Sequence, residues 1–332
     1  MTTLADKLKK GLEKTYSSKS GKPLFFDEKD YETLYAREFA DLFSIPENDR
    51  DVFYKAFNIA TQGQGDELRK VNSVISSALL SLLTFYPLFG NTDKSKYLTI
   101  NGERYYRCFF EVRNRVINPS RPSCVDVALI STDDKKILFL ESKLSEYADR
   151  VGISLELGKS YKSLYEGENG LHSLALCDYL NMEVENGTPI LKSLDDKEKI
   201  YIEGIKQSIS HLIGLVRGPQ FYKQGYYPKD YYEEYEDFYK KADVIEYATI
   251  LFDPAAFEVN TEEFKAYSEL YTETIIAHKD DILKCIKNWD NGEHYRGKHI
   301  EILDKILTYQ GLLSDKNNRR LVAKSVLDYY KL

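Results

Sequence analysis

Cysteine is scarce in this chain of 332 residues. The cysteines are Cys108, Cys124, Cys177 and Cys285, and no two of them form a CxxC pair. A disulfide framework or a structural zinc site needs cysteines at close or regular spacing. The scattered pattern argues against both kinds of site and fits a protein of the reducing cytoplasm.

Long apolar runs are absent as well. The most apolar stretch, SSALLSLLTFYPLF at 76–89, is too short and too interrupted to span a bilayer. The N-terminal residues, MTTLADKLKKGLEK, are charged and amphipathic, and the apolar core of a signal peptide does not follow them. We therefore expect a cytoplasmic protein without a membrane partner.

An excess of positive charge is also missing, since the formal net charge is −7. This counts against a surface covered with phosphate contacts, because non-specific affinity for nucleic acid comes largely from Lys and Arg. The charge is unevenly spread, however. Segment 104–121 carries five arginines against Glu111 alone, whereas segment 230–237 carries only acidic charges. A locally basic groove therefore remains compatible with the composition.

The chain contains neither an internal repeat nor a linker rich in Pro, Gly or Ser, which favours a single α/β domain over 1–332. We expect helical additions at 1–65 and 253–332 around a core at 66–252, with insertions at about 167–197 and 219–241. Apolar periodicity predicts core helices at 66–86 and 198–216 and strands at 104–117, 124–131, 136–142 and 244–252.

The third of these strands has an unusual end. Residues 137–143 read ILFLESK, so four apolar residues are followed by Glu141, Ser142 and Lys143. Side chains alternate faces along a strand, which puts Glu141 and Lys143 on the face of Ile137 and Phe139. The simplest interpretation is an ion pair on the surface, which stabilises little. The alternative is a functional site.

Asp126 gives that alternative its support. It lies between Val125 and Val127 in the preceding strand, a position where a charge is unexpected unless something binds it. Carboxylates on adjacent antiparallel strands can converge on one hard cation, which prefers oxygen ligands. A neighbouring lysine can orient an attacking water or balance charge that develops on a phosphate.

Asp126 and Glu141-Ser142-Lys143 together resemble the PD-(D/E)XK nuclease superfamily, whose restriction-endonuclease-like fold has an αβββαβ core. The resemblance covers about 66–252, and the element order predicted above agrees with it. Val125 replaces the proline of the motif. The resemblance implies a metal-dependent nuclease that acts most often on DNA, with Mg²⁺ or Mn²⁺ held by Asp126, Glu141 and the Ser142 carbonyl, and with Lys143 orienting the water.

Accessory residues follow from the same resemblance. Family members often add a glutamate from the first helix, and Glu67 lies on the flank of the predicted apolar stripe whereas Asp66 points away. A role for Glu67 in the first helical turn is an equally good interpretation. Members also carry a glutamine on the helix after the motif, which matches Gln207. Gln207 and His211 share a polar stripe on that helix. The stripe faces either the active cleft or solvent, and solvent is the favoured interpretation.

Arg107, Arg113 and Arg115 are candidate phosphate contacts, because alternation puts all three on one face of the strand predicted at 104–117. The alternative function is a catalytically silent member of the same fold that binds nucleic acid or a protein. A homo-oligomer is compatible with either function. A third interpretation is structural, with Asp126 and Lys143 as a buried pair and no bound metal.

Overall fold

The computed structural model describes residues 3–11, 35–61, 71–73, 75–116, 122–145, 182–185, 188–191, 196–220, 228–291 and 297–332. For 182–185, 188–191 and 196–206 it describes the backbone alone.

A mixed sheet forms the centre of the described structure. Its strands are β1 (Leu98–Ile100), β2 (Glu103–Asn114), β3 (Ser123–Ser131), β4 (Lys136–Lys143), β7 (Val244–Leu251), β8 (His299–Ile302) and β9 (Leu307–Thr308). Strands β1 to β4 pair antiparallel in sequence order, and β7 joins β4 in parallel. Strands β8 and β9 both pair with β7. A separate hairpin contains β5 (Met182–Glu185) and β6 (Thr188–Leu191).

Helices cover both faces of this sheet. They are α1 (4–11), α2 (Ala36–Leu42), α3 (Arg50–Thr61), α4 (Ser77–Phe85), α5 (Asp196–Arg217), α6 (Lys229–Lys241), α7 (Glu262–Tyr271), α8 (Lys279–Asp290), α9 (Tyr309–Ser314), α10 (Lys316–Leu321) and α11 (Lys324–Tyr330). The first layer, with α2 to α4, α9 and α11, packs on one face of the sheet. The second layer, α5 to α8, packs on the other face. The predicted α/β architecture, a mixed sheet flanked by helices, is confirmed.

Alternation along β4 also follows the prediction. Ile137 and Phe139 belong to the core of the second layer, whereas Leu138 and Leu140 belong to the core of the first. The strand is therefore buried on both sides, which explains why it reads as a continuous apolar run. Glu141 and Lys143 continue the face that α5 covers.

The helix predicted over 66–86 is wrong at 72–73 and 75–76. Residues 72, 73 and 75 form turns and a bend, and α4 begins only after Ser76, whose side chain accepts a hydrogen bond from the backbone N–H of Leu79. Ser73 Oγ likewise accepts from the backbone of Ile75. Serine side chains that bind nearby backbone groups compete with helix formation, which apolar periodicity does not register.

A further expectation needs correction. The segment 253–332 is not wholly helical, because β8 and β9 extend the sheet beside β7. The segment 219–241, expected to be an insertion, includes α6, whose Tyr235 and Tyr239 belong to the core of the second layer. Of the insertion expected at 167–197, only the β5–β6 hairpin and the start of α5 belong to the described residues.

Within the described part of the chain, no helix combines the length and the apolar character needed to cross a membrane.

Close approach of α5 to the sheet depends on Gly214. A Cβ atom at this position would lie 2.9 Å from Asn114 Cβ and 3.1 Å from Ser123 Cβ. We expect Gly214→Ala to destabilise the protein by about 1–3 kcal/mol through overpacking, although alanine favours helices. Urea unfolding followed by circular dichroism measures the change.

Gly11→Ala is the matched control, because Gly11 also lies in a helix and its added Cβ would make only an ordinary contact, 3.6 Å from Tyr329. A neutral or stabilising effect is expected there. Equal effects of the two substitutions would contradict the close packing of α5.

Candidate active site

Glu141 and Lys143 form a buried ion pair at the end of β4. Lys143 Nζ donates to Glu141 Oε1 over 2.7 Å, and the residues are only 7% and 3% exposed. The second partner of the lysine is Gln207 of α5, whose Oε1 accepts from Nζ over 2.7 Å. The surface ion pair considered as the simplest interpretation is therefore wrong, because helix α5 covers this end of the strand.

The other oxygen of Glu141 faces His211, one turn beyond Gln207 on α5. His211 Nε2 lies 3.0 Å from Glu141 Oε2, and His211 Nδ1 is hydrogen-bonded to Ser123 Oγ at the start of β3. Despite the short distance, Nε2 and Oε2 are not aligned for a good hydrogen bond, and neither atom has another partner among the described residues. The carboxylate thus has a cationic or polar group at each oxygen.

These neighbours decide the charge of Glu141. Burial raises the pKa of its carboxyl group, but the positive charge of Lys143 and the contact with His211 outweigh burial and lower the pKa from an ordinary 4.5 to about 2. Glu141 is therefore ionised at neutral pH. An ionised carboxylate can serve as a metal ligand or as an acceptor for a protonated amine.

The polar stripe on α5 does not face solvent. The preference for a solvent-exposed stripe is therefore wrong for His211. His211 is 3% exposed, and Gln207 is partly buried beside Lys143. The apolar face of α5 packs among helices of the second layer while the polar stripe lies against the sheet. A helix buried on both sides does not reveal from its pattern which side faces the sheet.

Asp126 lies where β3 and β4 stop pairing. The last backbone pair of the two strands is Val127 with Leu140, and the next backbone donor on this side, Ser142 N–H, is bound by Asp126 Oδ2 over 2.7 Å. A side-chain carboxylate thus replaces the missing ladder partner. This contact explains how a charged residue is accommodated in β3, and it keeps the carboxylate beside the Glu141-Ser142-Lys143 segment.

Alternation breaks at the same point on two strands. Val125 packs in the core of the second layer whereas Val127 packs in the first, and opposite them Val112 and Phe110 are divided in the same way. Glu111, between the latter two, has a left-handed φ of 49°. Such a conformation is uncommon for residues other than glycine and often occurs near functional sites. Sequence analysis did not identify Glu111 as a structural feature of the site.

Buried hydroxyl groups surround the far side of Glu141. Thr249 is its backbone partner on β7, and Tyr247 OH donates to Ser208 Oγ over 3.2 Å. Burial, with a contribution from the Glu141 carboxylate, raises the pKa of the Tyr247 and Tyr271 hydroxyls. Both tyrosines are therefore neutral hydrogen-bond donors. Their contribution was not recognised in the sequence, because β7 and α7 are more than a hundred residues from the motif.

Ser142 points away from this cluster, as alternation predicts. Its hydroxyl is within hydrogen-bond distance of Tyr309 OH, 2.7 Å away, and of the Ser77 carbonyl oxygen, 3.3 Å away. These contacts fix the middle residue of the motif to α4 and α9 in the first layer. The motif is therefore held from both faces of the sheet.

The three arginines do not form one patch. The break at Glu111 separates the strand faces, so Arg107 and Arg113 lie on opposite sides and the expectation of a shared face is wrong. Arg113 is buried, and Arg115 is partly buried. Arg107 pairs with Glu234 and donates to the Asn91 carbonyl oxygen over 2.9 Å.

Arg107 also lines a cavity of about 840 Å³ between α3, β2 and α6. The charged residues that line this cavity with Arg107 are Asp230, Glu233, Glu234 and Asp237 on the acidic side and Lys55 and Lys241 on the basic side. The four carboxylates outnumber the three cationic groups, which does not favour the binding of a phosphate at Arg107. The roles of Arg107, Arg113 and Arg115 as phosphate contacts remain predictions.

Glu67 and Asp66 lie outside the described residues. The preference for Glu67 over Asp66 requires one continuous helix through Ala78. The chain is not helical at 72–73 and 75–76, so that preference has no geometric basis. Glu67 remains a candidate through the resemblance alone.

The residues present fit a small divalent cation in kind. Asp126 and Glu141 supply hard carboxylate oxygens, the kind of ligand that Mg²⁺ prefers. Those residues contain no group of three or more His, Cys, Asp or Glu side chains that could hold a metal ion. Mg²⁺ is commonly bound by one or two carboxylates while it keeps several waters, so two carboxylates are sufficient.

No match to the chain was found among protein-family models, curated proteins or solved structures.

The low pKa of Glu141 predicts an acid-sensitive contribution to stability. A carboxylate whose pKa is depressed on folding stabilises the protein above its unfolded pKa, near 4.5, and this contribution is lost as the pH falls toward about 2. In that window Glu141 should make the unfolding free energy depend more steeply on pH, by at most about 1.4 kcal/mol per pH unit. Urea unfolding of wild type and Glu141→Gln between pH 5 and pH 3.5 measures the difference.

Asp134→Asn is a control, because this carboxylate lies in the turn at the other end of β3 and β4 and its substitution leaves Glu141 intact. If the unfolding free energy of Glu141→Gln changes with pH as steeply as that of the wild type, the charged state assigned to Glu141 is wrong.

Proposed function

We propose that this protein is a metal-dependent nuclease of the PD-(D/E)XK type that hydrolyses phosphodiester bonds, with DNA as the substrate that the resemblance favours. The observation that carries the proposal is the gathering of Asp126, Glu141 and Lys143 at the ends of two adjacent strands, with Gln207 bound to the lysine. These four residues are the ones that the sequence motif and its resemblance select.

The order of the elements supports the same proposal. Helix α4 is followed by the antiparallel strands β1 to β4, then by the β5–β6 hairpin, by α5 and α6, and by β7, which pairs with β4 in parallel. With β1, the hairpin and α6 counted as additions, the remaining elements follow the αβββαβ order expected of the restriction-endonuclease-like fold. The motif residues lie on the second and third strands of that core, as the resemblance requires.

Each residue has a distinct proposed part in the chemistry. Asp126 and Glu141, with the Ser142 carbonyl and Glu67 by resemblance, would hold Mg²⁺ or Mn²⁺. The bound ion would polarise the scissile phosphate and lower the pKa of a water. Lys143 has an ammonium group held by Glu141 and Gln207, and from there it orients the water and balances negative charge on the phosphate. Gln207 limits the positions that Nζ adopts.

A second candidate function is a catalytically silent binding module of the same fold. The contacts of Glu141 favour it, since Lys143 and His211 face its two oxygens and the side chain is almost inaccessible. A carboxylate compensated in this way needs no cation for stability. The net charge of −7 also makes nucleic acid a less natural partner than it is for a basic protein.

Cleavage assays distinguish the two functions. We expect the full chain to cut plasmid or linear DNA with Mg²⁺ or Mn²⁺, and we expect Asp126→Asn and Lys143→Met each to reduce the rate by at least about 100-fold. Single-stranded DNA and RNA are tested in parallel. Matched controls are Asp133→Asn and Lys135→Met, which alter the same residue types in the turn at the other end of these strands.

Calorimetric titration with Mn²⁺ accompanies the assay. Metal binding that depends on Asp126, without cleavage of any nucleic acid, would favour the silent module. If wild type and Asp126→Asn both fail to bind metal and no cleavage occurs, the proposed site is wrong.

A further inference from the structure

The two oxygens of Glu141 have different kinds of partner. Oε1 accepts from Lys143, a flexible side chain, whereas Oε2 faces His211, a ring that is fixed at its other nitrogen by Ser123. Ser123, His211 and Glu141 are all at most 5% exposed. The contacts thus form a continuous chain from β3 through α5 to β4.

Packing holds the ring in this place. Gly214 lies three residues after His211 on the same side of α5, and its lack of a side chain lets the helix approach Ser123 closely. His211 therefore reaches Ser123 on one strand and Glu141 on the next. Ser123 Oγ and His211 Nδ1 share a hydrogen bond, and in the tautomer in which Ser123 donates, the ring carries its hydrogen on Nε2, 3.0 Å from Glu141 Oε2.

Lys143 has a second acceptor besides Glu141. Its Nζ is bound to both Glu141 Oε1 and Gln207 Oε1, each over 2.7 Å. If Glu141 Oε1 is taken by a cation, Lys143 keeps its bond to Gln207, and Glu141 keeps its neighbour at Oε2. Oε1 is therefore the oxygen that can exchange partners.

We propose that Ser123 and His211 are positioning residues that anchor Glu141 through Oε2 and leave Oε1 available to a divalent cation. The proposal rests on the proposed function, because it concerns the same carboxylate. It adds two residues to the site, one of which, Ser123, no sequence argument had selected. Groups that orient a metal ligand typically change metal affinity by 10–100-fold when they are removed.

The test is calorimetric titration of the full chain with Mn²⁺ at one pH. We expect His211→Phe, which keeps a ring of similar size without its nitrogens, to weaken binding by about 10-fold or more. Ser123→Ala should weaken it in the same direction but less, because the ring then loses only its support. His211→Gln should restore most of the affinity, since its amide N–H reaches the region of Nε2. Lys135→Met is the control.

A second readout separates positioning from a general structural role. The DNA-cleavage assay of His211→Phe should show a lower kcat with KM nearly unchanged, and His211→Gln should recover kcat. A purely structural histidine would instead give variants whose melting temperatures fall while metal affinity per folded molecule stays constant. If His211→Phe does not fold, Ser123→Ala alone decides the question through the same titration.

The outcomes are distinguishable from those of the proposed function. If wild type binds Mn²⁺ and cuts DNA while His211→Phe and Ser123→Ala bind as tightly, the positioning proposal is wrong and the nuclease stands. If wild type does not bind Mn²⁺, both proposals are wrong. Weaker binding in both variants with rescue by His211→Gln supports the anchor.

Discussion

Glu141 and Lys143 are two positions apart on one face of β4. Because both charges are buried, the neighbouring strands and helix α5 must supply polar partners for them. A buried ion left without its partner costs about 3–5 kcal/mol, so the pair requires precise neighbours. Helix α5 supplies them through Gln207 and His211. The close contact of α5 with the sheet, allowed by Gly214, is therefore a condition for the site as well as for the fold.

The same region shows how the fold creates a polar site inside a core. Strands β3 and β4 separate after Val127 and Leu140, and the Asp126 carboxylate accepts a hydrogen bond from the backbone N–H of Ser142 in place of a strand partner. Glu111 adopts a left-handed conformation on the strand beside Asp126. Pairing of β3 with β4 thus ends at the point where Asp126 and Glu141 lie, and β4 remains paired with β7 beyond that point.

Much of this arrangement was readable in the sequence, and the parts that were not have physical reasons. Period-two alternation in ILFLESK placed Glu141 and Lys143 correctly, because β4 is regular and buried on both faces. Alternation failed for Arg107 and Arg113, because one residue with positive φ shifts the faces of β2. The orientation of α5 was not readable, because a helix packed on both sides shows no clear solvent face. The contacts of Ser123, Thr249 and Tyr271 depend on tertiary structure alone.

A cation between Asp126 and Glu141 is the central claim, and anomalous diffraction from crystals of the full chain grown with Mn²⁺ tests it most directly. The account predicts an anomalous peak within coordination distance of the Asp126 carboxylate and of Glu141 Oε1, with Lys143 still bound to Gln207. If the peak is absent from this region in crystals of Mn²⁺-saturated protein, and Lys143 remains on Glu141 Oε1, the claim is contradicted.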